Sequence, residues 1–85
     1  MGSNGKDVSP TRRLGLAVRT RRRALRLNQA ELANLSGVGL AFLYDLEHGK
    51  TTLRIDKVLS VLAVLGLELH VRDGKQTLSI ARELT

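Results

Sequence analysis

Gln29-Ala30-Glu31-Leu32-Ala33-Asn34-Leu35-Ser36-Gly37-Val38-Gly39-Leu40-Ala41-Phe42-Leu43-Tyr44-Asp45-Leu46 is the stretch that decides the fold. Asn28 in front of it is a good helix N-cap, and the residues that follow are helix-compatible up to Gly37, which predicts a short helix over 29–36. After Val38 a second helix starts at Gly39, with Phe42, Leu43 and Leu46 spaced to face inward and Gly49 closing it. Ala33 is small enough for two helices to cross closely, Gly37 suits the turn, and Val38 and Leu43 are placed to plug the core. Two short helices joined by a turn of three or four residues form a helix-turn-helix, an arrangement with few uses.

Upstream, Ser9-Pro10 is a helix start, because proline at the first helical position loses no needed N–H. Leu14, Ala17, Val18 and Leu25 then give a first helix of roughly Pro10 to Leu25, with one apolar face and one arginine face. Downstream, Thr52 is placed to cap a fourth helix. Its apolar positions Leu53, Ile55, Val58, Leu59, Val61, Leu62 and Leu65 cover more than one face, so it needs a neighbour on two sides, its own domain and a symmetry mate. Gly66 stops it, and Leu67-Glu68-Leu69-His70-Val71-Arg72 alternates with period two, as a half-buried strand does. A lone strand leaves unpaired backbone groups at its edges. Two solutions are open: pairing with its twin across a two-fold axis, which is preferred, or a hairpin through Asp73-Gly74 returning along Thr77, Leu78 and Ile80.

The organisation expected is a flexible leader over 1–8, a helix-turn-helix domain over 9–66, a dimerisation strand over 67–73 and a tail over 74–85 that could hold a returning strand. With 85 residues there is room for one small core. Hydrophobic residues make up 42% and aromatics 2%, so that core is built from Leu, Val, Ile and Ala, which suits helix-on-helix packing. The absence of cysteine removes disulfides, thiolate metal sites and cysteine nucleophiles. It also agrees with a cytoplasmic location.

Fourteen Lys and Arg against eight acids give a formal charge of +6. Between Val8 and Ala30 there is no acid, while Arg12, Arg13, Arg19, Arg21, Arg22, Arg23 and Arg26 all lie there. Such a surface attracts a polyanion, either nucleic acid or an anionic membrane. A membrane-surface or protein-interaction module accounts for the basic first helix but not for the fifty-odd residues that follow it. No apolar run is long enough to span a bilayer. His48, His70, Asp45, Glu47 and Tyr44 have no spacing of a catalytic dyad or a metal site, so neither an enzyme nor a cofactor is expected.

Leu27-Asn28-Gln29-Ala30-Glu31-Leu32-Ala33 resembles the second-helix signature of the lambda-repressor-like, or XRE-type, helix-turn-helix regulators, and Leu46-Glu47-His48-Gly49-Lys50 resembles the segment that closes their third helix. The resemblance spans about Leu14 to Leu67. It implies an all-α fold of four or five helices with a short C-terminal strand used in dimerisation, and a two-fold dimer on double-stranded DNA. By the same resemblance Gln29 meets a phosphate at the start of its helix, with Asn28, Arg19, Arg23, His48, Lys50 and Thr51 as further phosphate contacts. Arg22 pairs with Glu47 as a structural ion pair. Gly39, Leu40, Ala41, Tyr44 and Asp45 fall at the base-contacting positions, and Leu40 and Ala41 stand where many relatives carry Gln, Arg or Lys. Leu40 and Ala41 cannot make bidentate hydrogen bonds but can touch a thymine methyl, and Asp45 could accept from a cytosine amino group. Tyr44 equally suits a phosphate and Asp45 a surface pairing with an arginine. Specificity is therefore expected to lean on shape and on few bases.

Ser9-Pro10-Thr11 before the first helix, and a strand directly after the last, are similar to the HipB-type antitoxins that accompany HipA-type kinase toxins. This likeness implies an autorepressing antitoxin with a HipA-like kinase as partner, and the alternative is a stand-alone repressor. Leu62, Leu65, Leu67, Leu69 and Val71 are the expected dimer interface. The operator expected is a near-palindrome with half-sites ~34 Å apart.

Overall fold

The computed structural model describes residues 9–74 and 79–82. Its elements in order are α1 (Pro10–Ala24), α2 (Gln29–Ser36), α3 (Leu40–Glu47), α4 (Ile55–Leu65), β1 (Leu67–His70) and β2 (Ser79–Arg82). The expected leader over 1–8 and the returning positions Thr77 and Leu78 lie outside the described residues.

Each boundary has a local cause. Ser9 caps α1 by accepting from Arg12 N, and Pro10 occupies the first turn. At α2, Asn28 Oδ1 accepts from Glu31 N at 2.7 Å while Glu31 Oε1 accepts from Asn28 N at 2.8 Å, a capping box that satisfies two of the helix's orphan donors. Gly37 ends α2 at φ 71, in the left-handed region that a side chain would resist. α3 begins one residue later than expected, with Gly39 as its N-cap.

Thr52 does not cap α4. The N-cap is Arg54, which makes no side-chain cap and instead pairs with Asp56 through two hydrogen bonds of 3.1 and 2.6 Å. At the other end of α4, Arg21 Nε of α1 donates to Leu65 O at 2.9 Å and satisfies one of the helix's last carbonyls.

The core is Leu14 and Val18 of α1, Leu32 and Ala33 of α2, Leu43 and Leu46 of α3, and Val58, Val61, Leu62 and Leu65 of α4, with Leu67 beneath. Leu27, Val38, Phe42, Leu53 and Leu69 pack around it half-buried. Leu62 and Leu65 were expected to face a symmetry mate, but each is only 1% exposed inside its own chain. α4 packs against α1, α2 and β1 through Val58, Val61, Leu62 and Leu65, while Ile55 and Leu59 of the same apolar stripe stay exposed. Leu67 is likewise buried and Leu69 half-buried. Of the expected interface only Val71 stands clear, 91% exposed.

The preferred pairing of β1 with a twin strand is replaced by a hairpin. β1 pairs antiparallel with β2 in the register Leu67↔Arg82, Glu68↔Ala81, Leu69↔Ile80 and His70↔Ser79, and Gly74 sits at φ 88 in the intervening segment. A returning strand in the same chain satisfies one edge of β1 without a second copy.

α1 and α3 are joined by a buried ion pair. Arg22 Nε donates to Glu47 Oε2 at 2.7 Å and Arg22 Nη2 to Glu47 Oε1 at 3.0 Å, as expected from the family resemblance. Burial alone would raise the Glu47 carboxyl. Hydrogen bonds from Arg22 and Gln29 and the charges of Arg22 and Arg19 outweigh it and hold the group below the usual carboxylate range. Arg22 is raised in turn, chiefly by its hydrogen bond to Glu47.

Removing one partner of a buried pair strands the other, so Glu47→Ala should lose about 3–5 kcal/mol of unfolding free energy at neutral pH. Because the folded pKa lies below the unfolded one, the Glu47 contribution is complete above the ordinary carboxylate range and is lost as pH falls through the depressed folded value. Urea melts over a pH series should show the wild type and Glu47→Ala converging on acidification, with Glu47→Gln between them at neutral pH. A gap that stays constant with pH would exclude the ion pair as its source.

Gly15 offers a second test. A Cβ there would collide with the backbone carbonyl of Leu46 and come within 2.7 Å of Glu47 O, so α1 and α3 could not approach as they do. Gly15→Ala should destabilise by about 2 kcal/mol or more despite its better helix propensity. A stabilised Gly15→Ala protein would show that this crossing is slack.

Candidate nucleic-acid interface

The arginine face of α1 divides by function once the helices are packed. Arg22 is committed to Glu47 and Leu27 O, the latter at 3.0 Å, and Arg21 to the end of α4. Arg19 and Arg23, both exposed, remain on the face turned toward α3. With Arg22, Gln29, Tyr44, Glu47 and His48 they line an open depression of about 410 Å³. A smaller one of about 240 Å³, lined by Arg12, Leu16, Arg19, Glu47 and His48, adjoins it through shared walls.

Gln29 stands at the first position of α2, where backbone N–H groups and the helix dipole favour an anion. Its Nε2 donates to Glu47 Oε1 at 3.0 Å, which draws α2 into the same network as α1 and α3. An amide nitrogen carries two hydrogens, so one such bond fixes the side chain and still leaves a donor for a phosphate. Asn28, expected at phosphate, uses its side-chain oxygen to cap α2. Thr51 is exposed beyond α3, and Lys50 Nζ pairs loosely with Asp45 Oδ2 at 3.4 Å, both groups facing water.

Tyr44 and His48 form a unit. Their rings stack with centroids 3.9 Å apart and planes 21° from parallel, and His48 Nδ1 lies 2.8 Å from Tyr44 O. A carbonyl only accepts, which assigns the hydrogen to Nδ1. Neutral His48 therefore offers an acceptor at Nε2, and a phosphate oxygen can be met there only by the protonated ring. The five residues expected at bases are arranged on one stretch of α3: Gly39 at its N-cap, Leu40, Ala41 and Tyr44 exposed, and Asp45 half-buried. Asp45 finds its countercharge in Lys50 rather than in an arginine.

Three features were missed from sequence: Gly15 at the helix crossing, Arg21 at the end of α4 and the Gln29–Glu47 bond. All depend on residues far apart in the chain. Only Gly15 offered a clue, as a glycine inside an otherwise regular helix. Among the described residues no helix is long and apolar enough to cross a membrane, and no group of three His, Cys, Asp or Glu could hold a metal ion.

A family model described as helix-turn-helix matches residues 18–71. The HTH-type transcriptional regulator y4mF of Sinorhizobium fredii (strain NBRC 101917 / NGR234), itself uncharacterized, is 44% identical over 66 residues, or 78% of this chain and 87% of that protein. Among solved structures, a chain named MDT Protein superposes with a TM-score of 0.68 at 26% identity, over 85% of this chain and 100% of its own length. The matched residues include the capping box, the turn and both members of the Arg22–Glu47 pair, and the chain belongs to the XRE-type helix-turn-helix family of DNA-binding transcriptional regulators.

Proposed function

We propose that this chain is a dimeric repressor that lays α3 of each protomer in successive major grooves of a near-palindromic operator. The observation that carries this reading is the convergence of Gln29, Arg19, Arg23 and His48 around one open depression beside the exposed face of α3. Phosphates flanking the groove then meet Gln29 at the start of α2, Arg19 and Arg23 from α1, and Lys50 beyond α3. The dimer face consists of exposed apolar groups left over from the core: Ile55 and Leu59, one turn apart on α4, with Val71 after β1.

We further assign it as the antitoxin of a HipBA-type operon, repressing its own promoter and binding a kinase toxin. Support for this finer role comes from the layout, with Ser9-Pro10 opening α1 and a short hairpin following α4 directly. A stand-alone repressor is the second reading, favoured by a relative that is named a transcriptional regulator and nothing more. Co-expression with the product of the adjacent reading frame decides between them. A kinase-like product that co-purifies supports the antitoxin, and a neighbour of another kind, or one that does not bind, supports the lone repressor.

Affinity for an operator duplex should fall linearly with the logarithm of salt concentration, and Arg19→Ala and Lys50→Ala should each lower that slope by about one. Fluorescence anisotropy across a salt series measures this directly, and a flat response would refute phosphate-driven binding. Leu59→Glu should convert the dimer to a 9.3 kDa monomer in sedimentation while leaving helix content unchanged. A dimer that survives both Leu59→Glu and Ile55→Glu would move the interface off α4.

A further inference from the structure

Arg12, Leu16, Arg19 and Arg23 succeed one another at intervals of four, three and four, so they form one stripe along α1. Arg19 and Arg23 line the larger depression beside α3, and Arg19 also lines the smaller one with Arg12, Leu16, Glu47 and His48. Folding leaves that second depression with groups it does not use. Leu16 is 44% exposed between its two arginines, and Arg12 has no ion-pair partner among the described residues. Glu47 brings no free anion to it, because its oxygens are taken by Arg22 and Gln29. Arg12 is nevertheless held in place. The turn after α3 lies directly on it: at Gly49, φ 79, a Cβ would come within 2.6 Å of Arg12 Cγ and 3.0 Å of its Cα. The stem of Arg12 is packed on the Gly49 backbone, so its charge is presented from a fixed base.

Two cations with an apolar floor between them match a ligand that repeats. A nucleic-acid backbone alternates anionic phosphates with sugars that present carbon faces, and arginines bind those phosphates. A lone small anion would be satisfied by either arginine and would give Leu16 no task. An anionic membrane surface needs a broad apolar face beside its basic one, and one leucine does not supply it. Arg12 and Arg19 stand seven residues, or about 10 Å, apart along the helix axis, a span that two long side chains close onto consecutive phosphates. We propose that this depression is a second seat for the DNA backbone, in which Arg12 meets the phosphate adjoining the one held by Arg19 and the deoxyribose between them lies on Leu16. α1 then follows a strand along its own axis instead of touching it at one point. Gly49 acts on binding through Arg12, as the surface that fixes its stem. This inference rests on the duplex-binding reading above and extends it to a site outside the depression beside α3.

The test uses duplexes selected by the full chain from a random library, resynthesised with one neutral methylphosphonate at each backbone position in turn. Wild-type affinity should fall wherever a contacted phosphate is neutralised. Arg12→Gln keeps most of the stem that packs on Gly49 and removes the charge, with circular dichroism and melting as controls on its fold. It should bind the unmodified duplex about tenfold more weakly and show a lower salt slope. In the scan it should lose sensitivity at one position, and Arg19→Ala at the position next to it. Arg12→Lys should restore the slope. Leu16→Ala should weaken binding about fourfold with the slope unchanged, because the contact it removes carries no charge. Wild-type affinity in Arg12→Gln or Leu16→Ala, or positions lost by Arg12→Gln and Arg19→Ala that are not adjacent, overturns the second seat while leaving duplex binding intact. So does an Arg12→Gln protein that keeps every sensitive position of the wild type. Failure to select any duplex overturns the duplex-binding reading itself.

Discussion

The directional contacts that position α3 converge on the carboxylate of Glu47. Its side chain is 1% exposed, and its two oxygens receive two donors from Arg22 and one from Gln29. Arg22 extends the network to Leu27 O, the backbone that links α1 to α2. One carboxylate therefore fixes the end of α3, the side of α1 and the start of α2 relative to one another. A pair of leucines of similar volume would fill the space and allow the helices to slide, because dispersion contacts are not directional. A bidentate guanidinium–carboxylate pair has one good geometry, and departure from it exposes an unpaired charge to a low-dielectric interior. Directionality, more than net stabilisation, is what this interaction supplies.

The close crossing of α1 and α3 depends on two residues on the same side of α1, two turns apart. Gly15 has no side chain and lets the last carbonyls of α3 come against the helix, and Arg22 anchors the same segment from further along. Contact without the ion pair would lack its directional constraint, and a side chain at position 15 would push the last carbonyls of α3 away from α1. Gln29 then transmits that placement to α2. The two helices of the turn are thus referenced to α1 as well as to each other, which Gly37 and the packing of Ala33 and Leu43 alone would not achieve.

Short-range patterns made part of this legible before any coordinates. Asn28 as a cap, Gly37 as the stop and the start of the strand at Leu67 each encode their structure within a few residues and appear where expected, although the strand, read over 67–73, ends at His70. What failed did so where the outcome depends on distant groups. Thr52 is a plausible cap by type, but the helix starts after Arg54, where an exposed pair with Asp56 forms instead. The apolar breadth of α4 signalled burial on more than one face but could not say that Val58, Val61, Leu62 and Leu65 are covered by α1, α2 and β1 while Ile55 and Leu59 stay exposed. The expected site residues followed the same rule: positions on α3 were readable from helical period, whereas the link from Gln29 to Glu47 required the fold.

The two ends of α3 consequently have different physical tasks. Its closing end is electrostatic, with His48 held by Tyr44 in one tautomer, Lys50 just beyond and the arginines of α1 opposite. Charge contacts of this kind are long-ranged, insensitive to base identity and weakened by salt, so they place the helix without choosing a sequence. Its leading end has no charge and no side-chain hydrogen bond, and what it touches matters only through shape and apolar area. Contacts made there are short-ranged and survive salt. A helix built in this way separates affinity from selectivity along its own axis. The network at Glu47 holds both ends of α3 at one depth relative to α1 and α2.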